Sequence, residues 1–275
     1  METTSQSPSA PSVDGPLRAA FKRPPSSTPL GSAFVDWATL PVRSTATGVV
    51  RSVFDAPAPT LERLAMHITT LNPGSSTHAP HCHPWEEILI MKEGSLEVSI
   101  NGDLCSAGPG AVIFFAANDA HNVVNRSAEP ATYYVINFVA DAAHAMPDAP
   151  AASWLPKDQL GSQVVGWEEG ECKEMTHDSR RSFIGGTTAT FTQLKIHATS
   201  VAAGRYPVRH GGHLNLLLVI VKEGVVESTL DTVTHPVGPG CVILLAPGAT
   251  QTIRNRSDAP ATYYVISVST AETPR

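Results

Sequence analysis

The sequence has no long hydrophobic run. Nothing in it approaches the roughly 18 apolar residues of a membrane-spanning helix, so no membrane partner is expected. It has no C-x-x-C pair and no dense cysteine framework; Cys82, Cys105, Cys172 and Cys241 stand far apart. A chain of 275 residues needs no disulfide staples, so the four read as reduced thiols of a cytoplasmic protein. Also missing is any Lys/Arg run dense enough to track phosphates, and a formal charge of −6 argues against nucleic acid as a partner. There is no phosphate-cradling glycine loop, no Ser/His/Asp elbow and no thiol nucleophile motif. Amphipathic helical periodicity is scarce.

What remains is turn-rich. With 23 prolines, 20 glycines and 42% hydrophobic residues, the composition favours many short strands joined by turns. Residues 1–33 are rich in Ser, Pro and Ala and carry no apolar h-region, which argues against a secretory signal. Arg18, Lys22 and Arg23 give a faint likeness to an organelle transit peptide, but the composition reads foremost as a disordered tail.

The chain repeats itself. Asn125 to Ile136 (NRSAEPATYYVI) returns as Asn255 to Ile266 (NRSDAPATYYVI), an offset of 255 − 125 = 130. The same offset, without a gap, pairs Lys92-Glu93-Gly94 with Lys222-Glu223-Gly224 and Gly108-Pro109-Gly110 with Gly238-Pro239-Gly240. It also pairs Trp37 with Trp167, His67 with His197 and Gly74 with Gly204. A single register held over this length means duplication. The units span 34–140 and 164–270, joined by an Ala/Pro-rich linker over 141–163.

Within a unit, Leu64 to Leu71 reads as a strand ending in Asn72-Pro73-Gly74. Ile88 to Met91 is a short apolar run. Leu96 to Ile100 alternates and meets Asn101-Gly102, a strong hairpin signal. Ala111 to Phe115 and Tyr133 to Ile136 complete an all-β sandwich or barrel.

The chemistry lies in His81-Cys82-His83-Pro84-Trp85-Glu86-Glu87. Strand alternation puts His81, His83 and Glu87 on one face, with Cys82 and Glu86 on the other. Two imidazoles and a carboxylate suit a borderline divalent cation, and His121 is a fourth candidate. His78 reads as a solvated neighbour, and His67 and His197, paired by the repeat, read first as structural.

These residues resemble the cupin superfamily. The first cupin motif is a glycine, a spacer, His-x-His, three or four residues, Glu, six residues and Gly. Here it runs Gly74, His81-x-His83, three residues, Glu87, six residues, Gly94, with a leading spacer one residue longer than usual. The second motif, Gly, five residues, Pro-x-Gly, two residues, His, three residues, Asn, appears as Gly110, Ala116-x-Asn118, His121 and Asn125. The Pro and second Gly are replaced.

The resemblance implies an all-β bicupin, two tandem jelly-roll (double-stranded β-helix) barrels related by a pseudo-two-fold axis. It implies a metal site of His81, His83, Glu87 and His121 in the first, holding iron foremost, with Mn, Zn, Ni or Co as alternatives. In the second barrel the same register gives Gly211, His213, Leu217 and Gln251, with His210 one place before the first slot, so that site reads as degenerate. The expected partner is a small-molecule substrate, in a monomer or a homo-oligomer built through the barrels. The expected activity is a dioxygenase-type oxidation in a cavity lined by Phe114 or Phe115 and Met91. A redox-neutral isomerase, lyase or hydrolase of the ureidoglycine aminohydrolase kind, or a non-catalytic binding cupin, are the alternatives.

Overall fold

The computed structural model describes residues 28–175, 178–205 and 214–274, with 208–211 as backbone. The first half contains β1 (Ala33–Val35), β2 (Val42–Thr45), β3 (Gly48–Ala58), β4 (Leu61–Leu71), β5 (Glu86–Glu93), β6 (Leu96–Ile100), β7 (Asp103–Ala107), β8 (Val112–Phe115), β9 (His121–Val124) and β10 (Ala131–Val139). The second contains β11 (Gln163–Val165), β12 (Glu171–Glu174), β13 (Asp178–Gly186), β14 (Gln193–Val201), β15 (Val208–Gly211), β16 (Leu216–Glu223), β17 (Val226–Leu230), β18 (Val233–Val237), β19 (Val242–Leu245), β20 (Thr250–Arg254) and β21 (Ala261–Ser269). The linker adds short 3-10 turns at Asp141–Ala145 and Ala151–Ser153. Among the described residues no helix is long and apolar enough to cross a membrane, and none of the four cysteines forms a disulfide.

Each half closes a large sheet over a small one. The first barrel joins β11-β8-β5-β10-β4-β3-β2 to β7-β6-β9; the second joins β1-β19-β16-β21-β14-β13-β12 to β15-β20-β17-β18. Asn101 and Gly102 both take positive φ (51° and 95°), as a tight hairpin between β6 and β7 demands.

The Tyr-Tyr-Val-Ile segments lie in the middle of the large sheets, where both faces are buried and the residues run apolar without alternation. In β5 and β10, Leu89, Met91, Tyr133 and Val135 face the barrel interior. Ile88, Ile90, Tyr134, Ile136 and Phe138 face outward and merge with Ile196, Leu218, Ile220, Tyr264 and Ile266 of the second half in one shared core. The two large sheets therefore pack back to back.

Edge strands cross between the halves. β1 pairs with β19 of the second barrel, and β11 with β8 of the first, so each barrel takes an edge strand from the other half. The exchange is reciprocal: Ala33 faces Leu244 and Gln163 faces Phe114, and both 163 − 33 and 244 − 114 equal 130. Reciprocity of this kind is what a two-fold relation produces. Ahead of β1, the Leu30 amide donates to the Pro57 carbonyl (2.7 Å) and the Ala246 amide to Ser32 Oγ (3.0 Å). Residues 1–27 lie outside the described residues.

Candidate metal centre

His81, His83 and Glu87 do not all lie in one strand. β5 begins only at Glu86; His81 sits in an isolated bridge with His121, their amides and carbonyls exchanging hydrogen bonds of 3.1 and 2.8 Å. His121 opens β9, and Glu87 is the second residue of β5. Three separate segments thus meet at the barrel mouth. The ring nitrogens of His81, His83 and His121 come within 4.8 Å of one another. Glu87 completes the group, with Oε2 3.7 Å from His83 Nε2 and Oε1 3.8 Å from His121 Nε2.

Local bonding sets the tautomers. His83 Nδ1 lies 2.8 Å from the Trp85 carbonyl and His121 Nδ1 2.8 Å from the Asp119 carbonyl. A carbonyl only accepts, so both Nδ1 atoms carry the proton and both Nε2 atoms present a lone pair. Those Nε2 atoms, with His81 Nδ1, are buried without a hydrogen-bond partner. Three orphaned, convergent nitrogens beside a carboxylate fit a divalent cation, which would satisfy them all.

Electrostatics agree with that donor set. Burial, reinforced by the neighbouring imidazoles, pushes His81 down to about 3 and His121 down to about 4, against the pull of Glu87. Burial alone would raise Glu87, but the closeness of His83, 3.7 Å away, and of the other imidazoles outweighs it and holds the carboxyl at about 2. Neutral imidazoles and an ionised carboxylate are the forms that bind metal.

Supporting residues surround the cluster, and the roles of Trp85, Asn137 and Asp119 had no signal in the sequence. Trp85 stacks on His83 with centroids 4.4 Å apart, and its Nε1 donates to Asn137 Oδ1 at 2.8 Å. Phe115 stacks on His121 at 4.1 Å. Asp119 accepts from Asn101 Nδ2, the Ala151 amide and Ser162 Oγ, which ties the turn before His121 to the linker. Asn118 adopts φ 63°, so asparagine does here what glycine does in the family motif.

The cluster opens on a cavity of roughly 530 Å³. Phe115 lines it as expected. Phe114 and Met91 do not: Phe114 points to the inter-barrel core, and Met91 sits two residues beyond Leu89, the last β5 residue to reach the cavity. His78 stands edge-on to His81 at 4.1 Å, and His67 lines the same cavity. Glu86 points away, as alternation requires, and accepts from Thr188 Oγ1 and Thr190 Oγ1 of the second half at 2.8 Å each.

The second barrel has no such centre among the described residues. Leu217 lies in that barrel's apolar core, and Gln251 is buried with Nε2 donating to Ser228 Oγ at 2.8 Å. Gly211 lies in β15, and His213 lies outside the described residues.

A family model for the cupin domain matches residues 67–137 and again 199–267. No curated protein matches the chain by sequence. Among solved structures, a mutant of Bacillus subtilis oxalate decarboxylase superposes with a TM-score of 0.66 at 15% identity, covering 88% of this chain and 78% of that one. Protein Ylba from E. coli superposes with a TM-score of 0.69 at 13% identity, covering 92% of this chain and 97% of that one. A further structure of the decarboxylase, concerned with its Mn(II) centres, gives 0.66 at 14% identity over 88% of this chain and 78% of that one. At these identities the likeness is one of fold.

Proposed function

This chain belongs to the cupin domain family in both halves, and from that premise we propose that its first barrel is a divalent-metal enzyme performing a dioxygenase-type oxidation of a small organic metabolite. The observation that carries this reading is the convergence of three partnerless imidazole nitrogens and Glu87 in one partly apolar cavity. His81, His83, Glu87 and His121 would hold the ion, iron foremost. Bound there, the ion supplies Lewis acidity and, if it is iron, affinity for dioxygen. Four protein ligands would not exhaust such an ion's capacity for ligands, so a substrate donor could reach it. Trp85 and Phe115 hold the His83 and His121 rings in place, while Leu89, Val123 and Val135 keep water from the reacting end.

The likeness to a decarboxylase with Mn(II) centres favours a second reading, a redox-neutral reaction on manganese. A cavity of roughly 530 Å³ is far larger than a two-carbon diacid, so oxalate itself is a poor fit. The test is elemental analysis of protein purified without added metal, followed by substrate screening with an oxygen electrode. Iron in the first barrel and turnover only in air support the oxidation. Turnover of the same substrate without dioxygen favours the second reading. Absence of bound metal after reloading with each candidate ion sinks both.

A further inference from the structure

One wall of the cavity is made by β2, β3 and β4, in a register that sets Arg43 beside Val50 and Ser52 beside His67. Four fully charged side chains line the cavity: Arg43, Asp55, Arg63 and Glu87. Asp55 and Arg63 neutralise each other through a two-pronged contact of 2.7 and 2.9 Å. Glu87 is committed to the histidines. Arg43, solvent-exposed at the rim of the cavity, forms no hydrogen bond or ion pair with any described residue, so its guanidinium is the cavity's one uncommitted cation among them.

His67 adds an independent sign. Half-buried, it lines the cavity and makes no hydrogen bond to a described residue. It shares the cavity with Glu87 and Arg43, which act on it electrostatically with opposite sign. The duplicate shows what this position does when the protein fills it. In the second barrel His197 is met by Arg180 Nη2 at 3.0 Å, and Arg180 stands at the register of Val50 (50 + 130 = 180). In the first barrel the smaller Val50 leaves that space over His67 open.

We propose that Arg43 and His67 form a carboxylate subsite, so that the substrate is an organic acid with an oxygen donor at its metal-facing end and a carboxylate at the other. The inference rests on the metal reading for the first of those ends only. A planar guanidinium fork matches two carboxylate oxygens, and one imidazole N–H completes the set. A phosphate would leave further charge and oxygens unmatched, since no lysine lines the cavity. With an ion on Glu87 the cavity carries net positive charge, which an acid relieves. Between the two ends, Val50, Phe54, Leu89 and Val135 call for a hydrocarbon body.

Two probes separate the ends: 3,4-dihydroxybenzoate and its methyl ester, which keep the same chelating catechol and differ only in the carboxylate. Calorimetric titration into the metal-loaded full chain is expected to show the acid binding about tenfold or more tighter than the ester, the worth of a charge-assisted contact. R43M should bring the acid down to the ester's affinity while ester affinity and metal content stay as in wild type. R43K should recover only part of the difference, because a point charge lacks the fork. Equal affinities in wild type, no binding of either probe, or an acid preference that survives R43M would overturn the subsite. Failure of the metal reading looks different: no ion retained on reloading, with the acid preference judged separately.

Discussion

His83 and His121 are held by neighbours, and both the ligands and their supports give measurable consequences when replaced. Glu87 is the site's sole carboxylate, and Glu87→Gln removes its charge at almost constant shape. Metal affinity is expected to fall steeply in a competition titration with a chelator, while the melting temperature of the stripped protein changes little. Asn137 never reaches the histidines, yet it fixes the Trp85 indole that stacks on His83. Asn137→Ala should weaken metal binding by roughly ten-fold to a hundred-fold, the range for outer positioning groups. His83→Ala should strip the ion, whereas His213→Ala, its register partner, should leave metal content unchanged. Because His81 and His121 are held at about 3 and about 4, protons compete for them only well below the ordinary imidazole range. Metal retention measured against pH should therefore persist through pH 6 and fail only under stronger acid.

Among the elements, β5 serves both halves, with Glu87 facing the cavity and Glu86 buried against Thr188 and Thr190 of the second half. Burial, opposed by the threonine hydrogen bonds, pushes Glu86 up to about 7. A carboxyl with a raised folded pKa favours folding while it keeps its proton. Stability is thus fully present below the unfolded value near 4.5 and is lost as pH rises through about 7. Glu86→Gln should flatten that decline, read as melting temperature of metal-free protein at pH 5 and pH 8. The Gly-Pro-Gly turns make a second element-scale case. Gly110 has φ +86°, and a Cβ there would meet Trp167 Cε3 at 2.9 Å; Gly240 meets Trp37 in the same way at 3.0 Å. Gly110→Ala should cost roughly 1–3 kcal/mol in denaturant unfolding, from strain and collision together. The repeat made Trp37, Trp167 and the Gly-Pro-Gly turns visible as pairs, but only the fold shows that each tryptophan covers the glycine of the other half.

At the scale of the whole molecule the two barrels are one folding problem. The outward faces of the large sheets carry Ile88, Tyr134, Ile136, Leu218, Tyr264 and Ile266, all buried only because the partner sheet covers them. Each barrel also borrows an edge strand. We expect residues 34–140 expressed alone to be aggregated, with a dye that reports exposed apolar surface binding strongly. Residues 28–274 should unfold in a single transition. A soluble, cooperatively folding isolated half would overturn this view of the interface.

The sequence by itself determined the duplication, the all-β class and the four residues of the candidate metal centre. Those follow from local pattern: a constant 130-residue offset, turn residues between short apolar runs, and His and Glu spacings set by a motif. Tertiary structure alone decided which halves exchange β1 and β11, since strands of three residues carry too little pattern to name a partner. It decided that Phe115 rather than Phe114 or Met91 lines the cavity, because alternation fixes relative facing but not which face meets empty space. It also gathered His67 and Arg43 into that cavity from strands distant in the chain from His121. Closing a sheet into a barrel brings such side chains together, and no spacing along the chain records the closure.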